Sequence, residues 1–393
     1  MKHKIRSVIW TTAAALMTVG SGCDYEIPPA IYPTASKPDP VITAVVPDSA
    51  FGGVTTITIQ GRNFAPTSGL NFVYFGRGEA VILSCSETEL RVVRPLSIGD
   101  TATIRVAVRD AFGTASVGPY KLERGIVDVG GLGWVFSLAL DASENLYAAT
   151  ERAVVKISPS GKKETVSRLP FRVASAIRTL PDGSLYVQRD DNKLLYFVPA
   201  GGGDPVELLF HKKKVSVFDL DENGNLFAGG LGNGIVFTDP VAKTSVTIGD
   251  FYAGLTLKAV RVVGGYLYVA VDDPEKGGVW RNRILSANGE LGSSERILDW
   301  ASTGVYSSSA IFDMAFASDG DLFVATNRDP DPVLIVHTDG TMESLYPGYL
   351  EAPATSLVWG NGNYLYVNKS DQFHQGVVRV IIGKNGAVTY GRQ

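Results

Sequence analysis

Leu followed by Tyr or Phe recurs six times in the last two-thirds of this 393-residue chain, each time just after a tight-turn sequence. The pairs are Leu146-Tyr147, Leu185-Tyr186, Leu226-Phe227, Leu267-Tyr268, Leu322-Phe323 and Leu365-Tyr366, at steps of 39, 41, 41, 55 and 43 residues. Turn chemistry precedes each, as in Asp141 to Asn145, Pro181 to Ser184 and Gly264-Gly265. A period of roughly 40 residues built from short strands and turns predicts a β-propeller with one four-stranded blade per repeat. Six copies imply six blades. Architecture is constrained far more tightly than activity, because propellers host enzymes, binders and scaffolds alike.

A chain of this length exceeds one ordinary core, and 45% hydrophobic with 19% charged residues describes a globular protein. There is no basic stripe, and the net charge of −4 offers nothing to nucleic acid. At the N-terminus Lys2, Lys4 and Arg6 precede an apolar stretch, Val8 to Val19, and small residues at Gly20-Ser21-Gly22 stand ahead of Cys23. The apolar stretch is shorter than the roughly 20 residues that span a bilayer. This resembles a bacterial lipoprotein signal, which implies removal of residues 1–22 and lipidation of Cys23. The expectation is a protein of the cell envelope whose only membrane contact is that lipid. Loss of three positive charges would take the mature chain from −4 to −7. The other cysteine, Cys85, then has no disulfide partner and reads as a small buried hydrophobe.

Residues 23–39 carry four prolines without apolar periodicity and read as an extended tether. Residues 40–123 alternate short strand patterns with glycine turns, the signature of a small β-sandwich. Pro47 to Gly53, Thr56 to Phe64, Val73-Tyr74-Phe75-Gly76 and Val106 to Ser116 resemble the Ig-like IPT/TIG domain. That likeness implies a spacer or interaction module. Residues 124–393 hold the repeats, and phrases such as Asp319-Gly320-Asp321-Leu322-Phe323-Val324-Ala325 resemble NHL-type and gluconolactonase-type propellers. The fold class expected is all-β: an Ig-like sandwich followed by a six-bladed propeller. Either Gly125 to Gly130 or Ala387 to Tyr390 could supply the strand that closes the ring.

The two faces of the propeller differ in kind. Connections between first and second, and third and fourth, strands are stereotyped hairpins such as Pro181-Asp182-Gly183 and Thr338-Asp339-Gly340. On the opposite face, second-to-third loops hold Arg189-Asp190, Asp272-Asp273, Asp329 and Asp371 to His374, and blade-joining loops add Trp134, Phe171, Phe251, Trp300, Tyr306 and Tyr346. Turn geometry requires none of these, so this is the expected working face. Phe171, Phe251 and Tyr346 are expected to pack between blades. The basic run His211 to Lys214 is placed on a blade-joining loop, and the long fourth repeat places Ser302 to Ser309 as a flap over the face.

Three features suggest catalysis or metal, and each has a simpler reading. Asp219-Leu220-Asp221-Glu222-Asn223-Gly224 opens like a calcium loop, but Gly230 stands at the twelfth position, where a bidentate Glu is needed. The hairpin reading is preferred. The likeness to lactonases implies a metal in the central channel, yet alignment there places only Asp313 beside Ser137, Ala176 and Ser356, a poor donor set. Among the histidines only His374, three residues from Asp371, sits where an acid–base pair could serve a lyase. The reading adopted is non-covalent recognition of a glycan or an envelope protein, without a cofactor. Trp134, Trp300, Tyr306 and Phe373 are expected to stack, and Arg189, Asp190, Asp272, Asp329 and Asp371 to hydrogen-bond. The rival is a metal-assisted lyase or lactonase using His374, Asp371 and Asp313.

Overall fold

The computed structural model describes residues 37–51, 55–93, 95, 101–360 and 362–392. The leader and Cys23 lie outside these. The described residues between 41 and 123 form two packed sheets. One orders Val41–Val46, Thr56–Arg62, Glu89–Val93 and Val81–Cys85; the other is built on Thr101–Val108, Thr114–Glu123 and Asn71–Phe75. Strict alternation of buried and exposed residues along Thr101–Val108 turns Ala102, Ile104, Val106 and Val108 onto the core, the period-two pattern of a half-buried strand. They meet Ile57, Ile59, Leu90 and Val92 from the facing sheet. Cys85 is half-buried and unpaired, its thiol 3.2 Å from the Pro66 carbonyl.

Six blades follow. Their inner strands are Val135–Leu140, Ala174–Thr179, Val217–Leu220, the second half of Thr244–Val263, Ile311–Phe316 and Ser356–Trp359. Thr244–Val263 serves as the outer strand of blade 3 and runs on as the inner strand of blade 4, so those blades share one seven-stranded sheet. Only Arg124 and Gly125 separate the sandwich's last strand from Ile126–Asp128, which pairs antiparallel with Val377–Ile381 as the outermost strand of blade 6. The N-terminal candidate therefore closes the ring. Residues 387–392 go elsewhere, into the channel.

Every Leu-aromatic pair lies in a second strand, and the packing shows why the phrase repeats. Successive residues of a strand face opposite sides, so each pair reaches both neighbouring blades. Tyr147 of blade 1 shares an apolar cluster with Leu185 of blade 2. Tyr186 meets Leu226, Phe227 meets Leu267, Tyr268 meets Leu322 and Phe323 meets Leu365. Tyr366 of blade 6 then meets Leu146 of blade 1. The ring is closed by the same contact that joins every other blade pair. Each such side chain contributes on the order of 1.5–3 kcal/mol by burial.

Candidate functional site

The inner strands place a charged belt in the channel. Arg178, Asp219 and Arg261 oppose Tyr186, Phe227 and Tyr268 in the ladders, while Asp313 opposes Ala325. Arg178 Nε donates to Asp219 at 2.8 Å, and the other Asp219 oxygen accepts from the Val262 amide at 2.9 Å. Arg261 donates to Asp313, whose second oxygen accepts from the Leu357 amide at 2.9 Å. Each carboxylate thus ties the blade before it to the blade after it. Together they staple blades 2 to 6. Burial lowers the Arg261 pKa, and the Asp313 charge opposes that shift.

Both oxygens of Asp313 are thereby committed. Ser137 spends its hydroxyl on the Ala174 carbonyl at 2.8 Å. Among the described residues no three His, Cys, Asp or Glu side chains converge as a metal site. A channel metal of the lactonase kind does not fit this donor set. A space of about 60 Å³ is left in the channel, and the turn-face end is stopped by the C-terminal residues. There Ala387 donates to the Phe316 carbonyl at 2.8 Å, and Arg392 donates to the Trp359 and Ala387 carbonyls. A Cβ on Gly391 would stand 2.0 Å from the Thr179 carbonyl oxygen, so only glycine lets the tail lie this close.

On the loop face, a groove of about 490 Å³ runs between the second-to-third loop of blade 4 and the segment that leads to blade 5. Asp272 and Glu275 from that loop, Arg296 and Asp299 from the outer strand Glu295–Asp299, and Ser307 to Ser309 line it. Asp272 pairs with Lys258 at 3.3 Å, and Arg296 donates to Asp299 at 2.6 Å. Asp273 is a turn residue, accepting from the Glu275 and Lys276 amides, which hold its pKa below the ordinary carboxylate value.

The expected flap is instead two short 3-10 turns, Trp300–Ser302 and Gly304–Tyr306, pinned by both aromatics. Trp300 lines the groove only by an edge: its ring is buried and Nε1 donates to the Ser309 carbonyl at 2.8 Å. Tyr306 turns inward, its hydroxyl 2.8 Å from both the Asp331 carbonyl and Ser344 Oγ. It offers no ring to a ligand. A side chain in a loop can face either way, and here filling the gap between blades 4 and 5 decides the direction.

The remaining expected contacts belong to other blades and do not line this groove. Trp134 stacks on Phe136 at 5.4 Å, with the Arg172 guanidinium 5.5 Å over its ring and Arg172 bound to Glu151. Its faces are already engaged within the protein. Arg189 is exposed and lies 6.0 Å over the buried Phe171, beside exposed Asp190. Asp329 is exposed. Phe373, 79% exposed, is the freely offered ring of the set. His374 Nδ1 lies 2.9 Å from Asp371 Oδ1, but that oxygen also accepts the Phe373 and His374 amides. Burial works against ionisation of Asp371, yet these hydrogen bonds outweigh it and lower its pKa. The pair ties the loop from Asp371 to His374.

Three other expectations resolve here. Asp221 Oδ1 accepts the amides of Asn223 and Asn225 at 2.9 and 2.8 Å, and Asp141 does the same for Ser143 and Asn145, so the calcium-like phrase is a hairpin. Phe171 and Tyr346 are buried, and half-buried Phe251 packs on Trp280 at 4.5 Å. His211 to Lys214 is not on a loop. It lies in the outer strand Val206–Val215, where His211 is buried against Thr238 Oγ1 at 2.9 Å; the pairing register slips between Phe210 and Val215, and this irregularity lets all three lysines stay exposed. Burial lowers the His211 pKa to about 4.

Residues 40–122 match the IPT/TIG domain family. No curated protein matches the chain. Among solved structures, an auxiliary nutrient binding protein from Bacteroides thetaiotaomicron is similar at 14% identity and TM-score 0.51, covering 88% of this chain and 98% of its own. The calcium-binding protein regucalcin from Agrobacterium tumefaciens is similar at 17% identity and TM-score 0.52, covering 67% and 94%. A gluconolactonase from Xanthomonas campestris is similar at 11% identity and TM-score 0.51, covering 65% and 89%. At these identities the likeness establishes the fold alone. The first extends beyond the propeller, and the other two match its length. Residues 40–122 are thus an IPT/TIG domain, and they lead into a six-bladed propeller of the kind found in gluconolactonase and regucalcin structures.

Proposed function

We propose that this protein binds a glycan or an envelope protein non-covalently on the loop face of its propeller, in the blade 4 groove, and is held at a bacterial membrane by lipid on Cys23. The observation that carries the reading is the groove itself: carboxylates, a guanidinium, serine hydroxyls and an indole edge surround about 490 Å³ on the face whose loops are not stereotyped hairpins. Such a lining reads hydroxyl-rich ligands, because paired acceptors and donors fix the orientation of each hydroxyl. Exposed Phe373 gives the same face a ring suited to an apolar sugar surface. The channel supports binding over metal-assisted catalysis, since its carboxylates are used as staples between blades. The resemblance to an auxiliary nutrient binding protein agrees with this reading.

The test is a glycan and envelope-polymer array probed with the mature chain, with and without a chelator. A chelator-resistant hit weakened by Asp272→Ala supports the proposal. A chelator-sensitive hit, or turnover of an arrayed polymer, contradicts it in favour of the lactonase-type reading. For the anchor, the mass of the N-terminal peptide decides between lipidated and unmodified Cys23.

A further inference from the structure

A second cavity, of about 350 Å³, shares no lining residue with the loop-face groove and lies between the IPT/TIG domain and blades 5 and 6. One wall is Val81 on the edge strand Val81–Cys85, with Val93 and Glu79. Tyr349, Ile382 and Glu343 contribute to the other. Val81 is 66% and Tyr349 47% exposed, so apolar side chains remain in water on both sides of the cleft. The two walls are held together by the chain path. Only Arg124 and Gly125 lie between the last IPT/TIG strand and Ile126–Asp128, and Gly125 accepts a 2.8 Å hydrogen bond from Ile381 in the blade that also supplies Ile382. A cleft at a domain boundary, mostly apolar with polar groups on both walls, has the size and character of a small-molecule site.

Charge selects the occupant. Lys384 is taken up by Asp319 and Asp321, and His337 Nδ1 lies 2.7 Å from Asp321. His337 Nε2 lies 3.3 Å from exposed Glu343. Glu79 faces the same space. Two carboxylates, Glu79 and Glu343, thus line the cleft with one ammonium and one imidazole, and because Asp319 and Asp321, outside the lining, already neutralise Lys384, the balance favours a positive group. Tyr349 adds an aromatic face of the type that attracts cations. We propose that this interdomain cleft is a second binding site, independent of the loop face, and that it takes a small amphipathic cation: an apolar body against Val81, Val93, Ile382 and Tyr349, with an ammonium toward Glu79 and Glu343.

Dansylcadaverine and dansylglycine carry the same apolar fluorophore with opposite charge, and each is titrated into the folded chain. Saturable enhancement by the cationic dye, at least tenfold tighter than by the anionic one, is expected. Val81→Arg places a cation on the exposed wall and should weaken the cationic dye at least tenfold. Glu343→Gln should weaken it several-fold while changing the anionic dye little. Should Val81→Arg lower the melting temperature, Tyr349→Ala provides the same test from the opposite wall. Equal affinity for the two dyes, absence of saturation, or full binding after the folded wall substitution overturns the proposal.

Discussion

Arg261 of blade 4 and Asp313 of blade 5 form an ion pair inside the channel, and the same carboxylate accepts the backbone amide of Leu357 in blade 6. One side chain thereby holds three consecutive inner strands. Removing it would strand a buried guanidinium, a change that typically costs about 3–5 kcal/mol. Asp313→Ala should lose stability of that order in urea unfolding. Joint replacement, Asp313→Ala with Arg261→Met, should recover part of the loss, because no uncompensated charge then remains. Binding at the loop face should persist in any variant that stays folded.

Trp300 and Tyr306 both anchor the segment beside the groove, and of the two only Trp300 presents an edge to it. Truncating either should cost on the order of 3–5 kcal/mol, as for large buried rings, and should release the Ser307 to Ser309 side of the groove. Thermal melts and hydrogen exchange over residues 300–310 check this. Phe373→Ala should leave the melting temperature unchanged, since its ring touches little of the protein.

Ring closure depends on three residues, Ile126 to Asp128, paired with Val380, Arg379 and Val378. A chain beginning at 131 leaves Val377–Ile381 as an unprotected edge, which invites association. Size-exclusion chromatography should show it aggregating, whereas a chain beginning at 124 should remain monodisperse.

His211 and His337 should affect stability with opposite sign. Burial lowers His211 to about 4 against an ordinary 6.5, so its unfolded form binds the proton more readily. Its contribution is present above pH 6.5 and lost as pH falls toward 4, by about 3 kcal/mol. His337 is raised, chiefly by its hydrogen bond with Asp321. Its contribution is present below the ordinary imidazole value and lost as pH rises through the elevated one. Urea unfolding of His211→Gln should flatten the acid slope, and His337→Gln the alkaline one.

The repeat was legible because one two-residue phrase does the same packing task at all six blade junctions, from Tyr147–Leu185 round to Tyr366–Leu146. The closing strand was narrowed to two segments, and backbone pairing chose between them. Of the channel belt only Asp313 was legible, because alignment of the inner strands placed it beside Ser137, Ala176 and Ser356. Arg178 and Asp219 project two positions further along their strands, and Asp219 was absorbed into a turn motif. Ring direction was also hidden. Trp300 and Tyr306 look alike as loop aromatics, whereas only packing reveals that both turn inward. Asp272 drew notice because an unstereotyped loop begins at it, although it ends the strand Tyr266–Asp272, whereas Arg296 and Asp299, within the outer strand Glu295–Asp299, carried no comparable signal.

The most direct test of loop-face recognition is to fill the groove. Ser308 is exposed at its edge, so Ser308→Trp should occupy the space while leaving the melting temperature intact. Calorimetric titration of a glycan selected on the array should give saturable, chelator-resistant binding to the wild-type chain and at least tenfold weaker binding to Ser308→Trp. Undiminished affinity in the folded variant would contradict the account and place the ligand elsewhere on the molecule.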